Sequence, residues 1–116
     1  MASNGILEMK QIGYLADSPD FKVLDGGKKV ASFVVITNES WTDKNTGEKK
    51  ERAESFRYEV WDESADNLND IVKKGHRIYV ESEPRNNVYI DDKGVKVYGY
   101  RFVVTKWITL EKKTKD

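Results

Sequence analysis

The chain has 116 residues, enough for one domain around one core. It contains no cysteine and a single histidine, His76, which excludes disulfides and thiolate metal sites and leaves little for His-based metal binding or acid–base catalysis. The 20 Lys and Arg residues are balanced by 20 Asp and Glu, so a basic footprint has to come from local clustering and not from net charge.

No apolar run approaches a membrane span, and the N-terminus has no positive segment leading into an apolar one. A soluble cytoplasmic protein without membrane contacts is expected. Residues 1–110 read as one domain, with residues 111–116 as a lysine-rich tail and residues 1–4 as a loose start.

The first predicted strand covers residues 5–15, with Ile6, Leu7, Met9 and Ile12 as apolar members. Gly13 and Asp17-Ser18-Pro19 bend the chain, and residues 21–24 continue as a short extended piece. Asp25-Gly26-Gly27 is a hairpin turn signal. The second strand, residues 29–40, is almost continuously apolar from Val30 to Ile36, which implies burial on both faces, or one core face and one partner face. Residues 42–52 read as a mobile basic hairpin loop with an Asn-Thr-Gly-Glu tip. The third strand, residues 53–61, alternates: Phe56, Tyr58 and Val60 point one way, Ser55, Arg57, Glu59 and Trp61 the other.

Residues 62–74 make the one convincing helix, with Ala65, Leu68, Ile71 and Val72 on a stripe, acidic residues in the first turn, Lys73 and Lys74 in the last, and Gly75 as the left-handed stop. The fourth strand covers residues 77–83; Pro84 should end its pairing or bulge it. Asp91-Asp92-Lys93-Gly94 forms a second hairpin tip, and the last strand runs over residues 95–110 with Tyr98, Tyr100, Phe102 and Trp107. Three strands, a helix and two strands is the order of an all-β, five-stranded Greek-key OB-fold barrel with its helix between strands three and four.

The segment from Val30 to Val60 places an aromatic, Trp41, where a strand enters a basic loop. Rings beside cations are what a protein needs to grip an unpaired nucleic-acid strand, because rings stack on bases while cations follow phosphates. The opposing reading is a solvated hairpin tip: Glu48, Glu51 and Asp43 offset Lys49, Lys50 and Arg52. Apolar residues on both faces of the second strand (Val34, Ile36), with the Phe56/Tyr58 row, point to a subunit interface. His76 reads as a helix-end partner. The pairs Asp62/Glu63 and Asp91/Asp92 read as cap and turn chemistry. No glycine-rich phosphate loop, metal cluster or nucleophile–base pair is legible, so neither cofactor nor catalysis is expected.

Specific strings add to this pattern. They are Gly13-x-Leu15-x-x-x-Pro19, Gly27-x-x-Val30-Ala31, and Thr37-x-Glu39-Ser40-Trp41-x-Asp43-Lys44-x-Thr46-Gly47-Glu48. Further on stand Lys73/Lys74-Gly75-x-x-Ile78-Tyr79-Val80-Glu81 and Arg85. On these the chain, from about Ile6 to Val104, resembles the DNA-binding domain of bacterial and phage single-stranded-DNA-binding proteins. The resemblance implies an OB barrel, usually a homotetramer, that coats unpaired DNA in replication, recombination and repair without cofactor or reaction.

Position by position, the resemblance implies stacking by Trp41, Trp61 and Tyr89, and phosphate contacts by Lys44, Lys50, Arg57, Lys74 and Arg85. Departures stand at Ser55 (a further stacking tryptophan in the family), Phe56 (an assembly histidine), Glu63, Asn87 and Val88 (basic positions), with Glu59 adding negative charge beside Arg57 and Trp61. They imply weaker DNA binding with a flatter salt dependence, and leave a dimer beside the tetramer. The family's glycine-rich linker and acidic, Pro-Phe-ending tail are not in the sequence, which ends in Lys112, Lys113 and Lys115; either the tail was removed or the member is divergent. The alternative function is a primosome-type accessory or protein-interaction OB module that contacts replication and repair proteins more than DNA.

Overall fold

The computed structural model describes residues 4–111. The expected loose start at residues 1–3 and the tail at residues 112–116 lie outside the described residues.

β1 (Met9–Leu15) is followed by the short β2 (Asp20–Val23) and a single 3-10 turn at Asp25–Gly27. β3 (Lys29–Thr42) and β4 (Lys49–Trp61) form the first long hairpin, α1 (Asp62–Ile71) follows, and β5 (Arg77–Ile90) and β6 (Lys96–Thr109) form the second. The sheet order is β1-β5-β6-β4-β3-β2, and an added β1–β3 pairing closes five strands into a barrel. β2 is a sixth strand outside that ring, paired to the start of β3. The expected Greek-key barrel is present, with the helix where the sequence puts it.

Alternation fixes the core. Ala31, Phe33 and Val35 of β3, Tyr58 and Val60 of β4, Ile78 and Val80 of β5 and Leu15 of β1 all point inward and are buried. β1 and β3 cross at Gly13, and an added Cβ there would stand 2.2 Å from the Ile36 carbonyl oxygen. The barrel therefore closes only if this position carries no side chain. Beside it, Gln11 Nε2 donates to the Val35 carbonyl (3.1 Å) and to Thr37 Oγ1 (2.9 Å), and the Tyr58 hydroxyl donates to Gln11 Oε1. Burial pushes the Tyr58 phenol up to about 12.

Several sequence expectations shift. The basic loop is shorter than 42–52: β3 and β4 pair in one unbroken register from Val30↔Trp61 to Thr42↔Lys49, so Thr42 and residues 49–52 belong to a two-stranded arm and only residues 43–48 are loop. Its tip is held by Asp43, whose Oδ1 accepts the amides of Asn45 and Thr46 and whose carbonyl accepts that of Gly47, at φ 74°. The helix ends at Ile71, which is exposed. Val72, in extended conformation, turns into the core in its place, and Lys73 and Lys74 fall outside the helix.

Asp62 sits at φ 59° and no side chain caps the N-terminus, so Asp62 and Glu63 act on the helix dipole without the expected cap bond. His76 binds the turn just past the helix, accepting the Lys73 amide on Nδ1 at 3.1 Å, and Gly75 takes φ 83°. β5 runs straight through Pro84. The irregularity lies two residues earlier, between Glu81 and Ser82, which leaves Pro84 paired with Phe102 in register. Phe56 and Tyr58 belong to the interior, Phe56 lying edge-on to Phe102 at 5.8 Å between centroids, and they form no outer row.

Candidate nucleic-acid interface

β4, β6 and β5 lie side by side, and their outward residues form one face. β4 contributes Arg57, Glu59 and Trp61. β6 contributes Arg101 and Val103, and β5 contributes Glu83 and Arg85. Glu59 pairs with Val103, and Arg101 with Arg85. Beyond the barrel the same parity of β5 carries Tyr89, opposite Val97 and 51% exposed. Trp61, Arg57, Arg85 and Tyr89 are thus brought to one surface from separate stretches of sequence.

Glu59 is the hub of that surface. Its carboxylate accepts the Arg101 guanidinium through Nε (2.5 Å) and Nη2 (3.0 Å), a two-pronged ion pair. The same carboxylate accepts the Trp61 indole N–H at 2.9 Å. Hydrogen bonding to Glu59, then its charge, raises the Arg101 pKa. The charge that the sequence set against DNA binding is neutralised within the protein, and it fixes a ring.

Trp41 is handled in a parallel way on the other side of the ribbon. It pairs with Lys50, and its parity is that of the barrel interior, so it faces opposite to Arg57 and Trp61. The ring stands beyond the core and is 46% exposed. The Arg52 guanidinium lies 5.6 Å from its centroid, a cation–π contact, and Arg52 is itself held by Glu39 through two hydrogen bonds and by Glu54 at 3.7 Å. Both tryptophans are therefore oriented by glutamates, one directly and one through an arginine.

The cations differ in availability. Lys50 Nζ is engaged by Glu48 at 3.1 Å, and Arg85 by Glu83 at 3.1 Å. Arg57, Lys44 and Lys74 have no carboxylate within ion-pair distance among the described residues. Lys44 stands on the β3–β4 tip. Lys74 lies in the turn after the helix, off the β4–β6–β5 face. Ser55, at a family stacking position, is on the outer face opposite Ile36, and Asn87 lies opposite Gly99.

Two rings stand out that sequence reasoning did not assign. Tyr98 and Tyr100 are each 71% exposed. They share parity with Phe102, which is packed on the core, so the signal was the alternation Tyr98, Tyr100, Phe102 continuing past the barrel wall. No cluster of three or more His, Asp or Glu side chains suited to a metal occurs among the described residues.

A closed barrel with two hairpin arms and exposed rings and cations has the form of OB-fold proteins that bind single-stranded nucleic acid. The model of the single-strand binding protein family matches residues 7–110, and the chain belongs to that family. Its members are non-enzymatic DNA-binding proteins, and single-stranded DNA is what this chain binds. Among solved structures, the fold is similar to a Plasmodium falciparum SSB in complex with ssDNA, at 29% identity and a TM-score of 0.82, covering 96% of this chain and 100% of that one. It also resembles a deletion mutant of the single-stranded DNA binding protein from Thermus aquaticus at 22% identity and a TM-score of 0.79. That match covers 92% of this chain and 51% of the other, so the chain spans about half of that protein.

Proposed function

We propose that this protein coats single-stranded DNA with little sequence preference, stacking bases on Trp41, Trp61 and Tyr89 and meeting phosphates with Lys44, Lys50, Arg57, Lys74 and Arg85, in the cytoplasm during replication, recombination and repair. The observation that carries the reading is the continuous outer face of β4, β6 and β5, where Trp61, Arg57, Arg85 and Tyr89 stand together. Stacking contributes roughly 1–3 kcal/mol per base, so three rings outweigh the electrostatic loss from cations already paired with glutamates. The test is titration with oligo-dT at low salt, read by tryptophan fluorescence. Quenching that weakens as salt is added supports the reading, and no binding at low salt overturns it.

The working form we propose is a homo-oligomer, a tetramer or else a dimer. The support is an apolar band on the outside of the barrel: Ile36 lies beside Tyr14, Ile12 beside Tyr79, and Tyr79 beside Ile108. Ile12, Tyr14 and Ile108 are exposed in the single chain. This band, and not the Phe56/Tyr58 row, is the surface to substitute. The accessory-module alternative draws on the Glu48–Lys50 and Glu83–Arg85 pairs, which tie up two of the proposed phosphate contacts. A dimeric mass with weak oligo-dT binding would favour it.

A further inference from the structure

Three arginines stand in one row across the outer face of the sheet. Arg85 of β5 pairs directly with Arg101 of β6. Arg57 of β4 precedes the Tyr58↔Phe102 pair by one residue, as Arg101 does on β6, so it is level with Arg101 on the other side. Like charges placed opposite one another destabilise a sheet, so such a row needs counter-charge. Glu83 meets Arg85 at 3.1 Å, and Glu59 meets Arg101. Arg57 has no carboxylate within ion-pair distance among the described residues. Both glutamates lie in the next row toward the helix, either side of Val103. The row on the other side is uncharged, and Gly99 puts no side chain beside Arg101 there.

The Glu59–Arg101 pair is lopsided. The Glu59 side chain is 15% exposed and that of Arg101 45%, so the carboxylate lies beneath and the guanidinium faces solvent. Glu59 takes one N–H from Nε and one from Nη2. A guanidinium has five N–H donors, which leaves three, both of those on Nη1 among them. Arg101 and Arg57 line one recess of about 230 Å³ where β4 and β6 part. At roughly 30 Å³ per water molecule, it has room for a phosphate group in place of solvent. The row also lies midway between two of the proposed stacking rings. Trp61 is four residues on from Arg57, and Tyr89 four on from Arg85 in the opposite direction, about 13 Å each at ~3.3 Å per residue. A strand laid from one ring to the other crosses the arginines.

We infer that Arg101 is a further phosphate-binding residue, seated by Glu59: it keeps that carboxylate and offers its remaining N–H groups to the phosphate that Arg57 holds from the other wall of the recess. The inference rests on the single-stranded DNA reading above and adds to it a contact that the sequence did not assign. Since the pair is neutral as a unit, the contact adds affinity without releasing a counterion.

The experiment titrates the full chain with oligo-dT across salt, comparing wild type, Glu59→Gln, Arg57→Met and the double variant Glu59→Gln/Arg101→Met. The double variant removes one charge of each sign and keeps an acceptor for the Trp61 indole. It is expected to bind about 10- to 100-fold more weakly than wild type, with the wild-type salt slope. Arg57→Met should bind more weakly with the slope of log K against log salt reduced by about 0.7. In the wild-type protein, the guanidinium nitrogen resonances of Arg101 should shift on adding oligo-dT, a readout that needs no variant to fold. If the double variant binds as wild type does, or if those resonances stay still in a protein that binds, Arg101 is only a counter-charge and the inference is overturned, while the wider reading stands. If Glu59→Gln alone binds as weakly as the double variant, the loss belongs to Trp61 and the inference also falls. Absence of wild-type binding refutes both.

Discussion

The Trp61 indole and the Arg101 guanidinium are held by one carboxylate, that of Glu59: the indole N–H donates to Oε2 at 2.9 Å while Nε of Arg101 donates to Oε1. The arrangement makes a negative charge part of the proposed DNA surface without leaving it free to repel phosphate.

Glu59→Gln removes that charge but keeps an acceptor for the indole. Arg101 is then free to meet a phosphate. Oligo-dT affinity should rise at low salt, and the slope of log K against log salt should steepen by about 0.7, the value for one more neutralised phosphate on a single strand. Glu59→Ala also loses the acceptor for Trp61 and should bind more weakly than Glu59→Gln at high salt. Salt-resolved titrations of the two variants check both statements.

Trp41 and Trp61 sit on opposite faces of the β3–β4 ribbon, so as the proposed stacking rings they should serve different nucleotides. Their Ala substitutions should cost roughly 1–3 kcal/mol each and combine additively within about 0.5 kcal/mol. A double-mutant cycle on oligo-dT affinity measures this. Strong coupling would mean that both rings act on one base.

Glu39→Gln loosens the ion pair that seats Arg52 over Trp41. Fluorescence of the free protein should shift toward that of solvent-exposed indole, with a smaller loss of affinity than Trp41→Ala gives. An unchanged spectrum would separate Glu39 from the ring.

Gly13→Ala puts a methyl group against the Ile36 carbonyl at the point where the barrel closes. Backbone has to move, and overpacking of this kind typically costs about 1–3 kcal/mol. Urea unfolding should show the loss, while Gly26→Ala, with nothing within 4 Å of its added carbon but a φ of 86°, should show only local strain in its turn.

The Tyr58 phenol is neutral and buried, with its pKa pushed from 10.0 to about 12 by burial. A raised folded-state pKa means that its contribution to stability is complete below pH 10.0 and is lost as pH rises toward about 12. Tyr79, hydrogen-bonded to Glu81, also titrates near 12. Stability should therefore fall on the alkaline side. Tyr58→Phe should be less stable at neutral pH, having left Gln11 Oε1 without its donor, but should lose less between pH 10.0 and about 12. Urea midpoints across that range are the measurement.

Much of this protein is legible in its sequence. Strand alternation placed Tyr58 and Val60 inward and Arg57, Glu59 and Trp61 outward. Ala65 and Leu68 marked the buried side of the helix, and Gly75 marked a left-handed turn, although the helix itself stops earlier, at Ile71. These are local matters: period, turn chemistry and the conformational freedom of glycine act within a few residues. The string around Trp41 identified the family for the same reason, since it is contiguous.

What tertiary structure alone decided is who stands beside whom. Nothing local says that Arg101, 42 positions on, would neutralise Glu59, that Gly13 would lie under the Ile36 carbonyl, or that the basic loop would zip up into an arm with its lysines partly paired. The order β1-β5-β6-β4-β3 sets these meetings, because strand pairing joins residues by register and not by distance along the chain. The sequence determined a barrel with rings and cations for single-stranded DNA. The fold decided which rings share a face, which charges are already spent on each other, and that two unassigned tyrosines of β6, Tyr98 and Tyr100, stand exposed beyond the core.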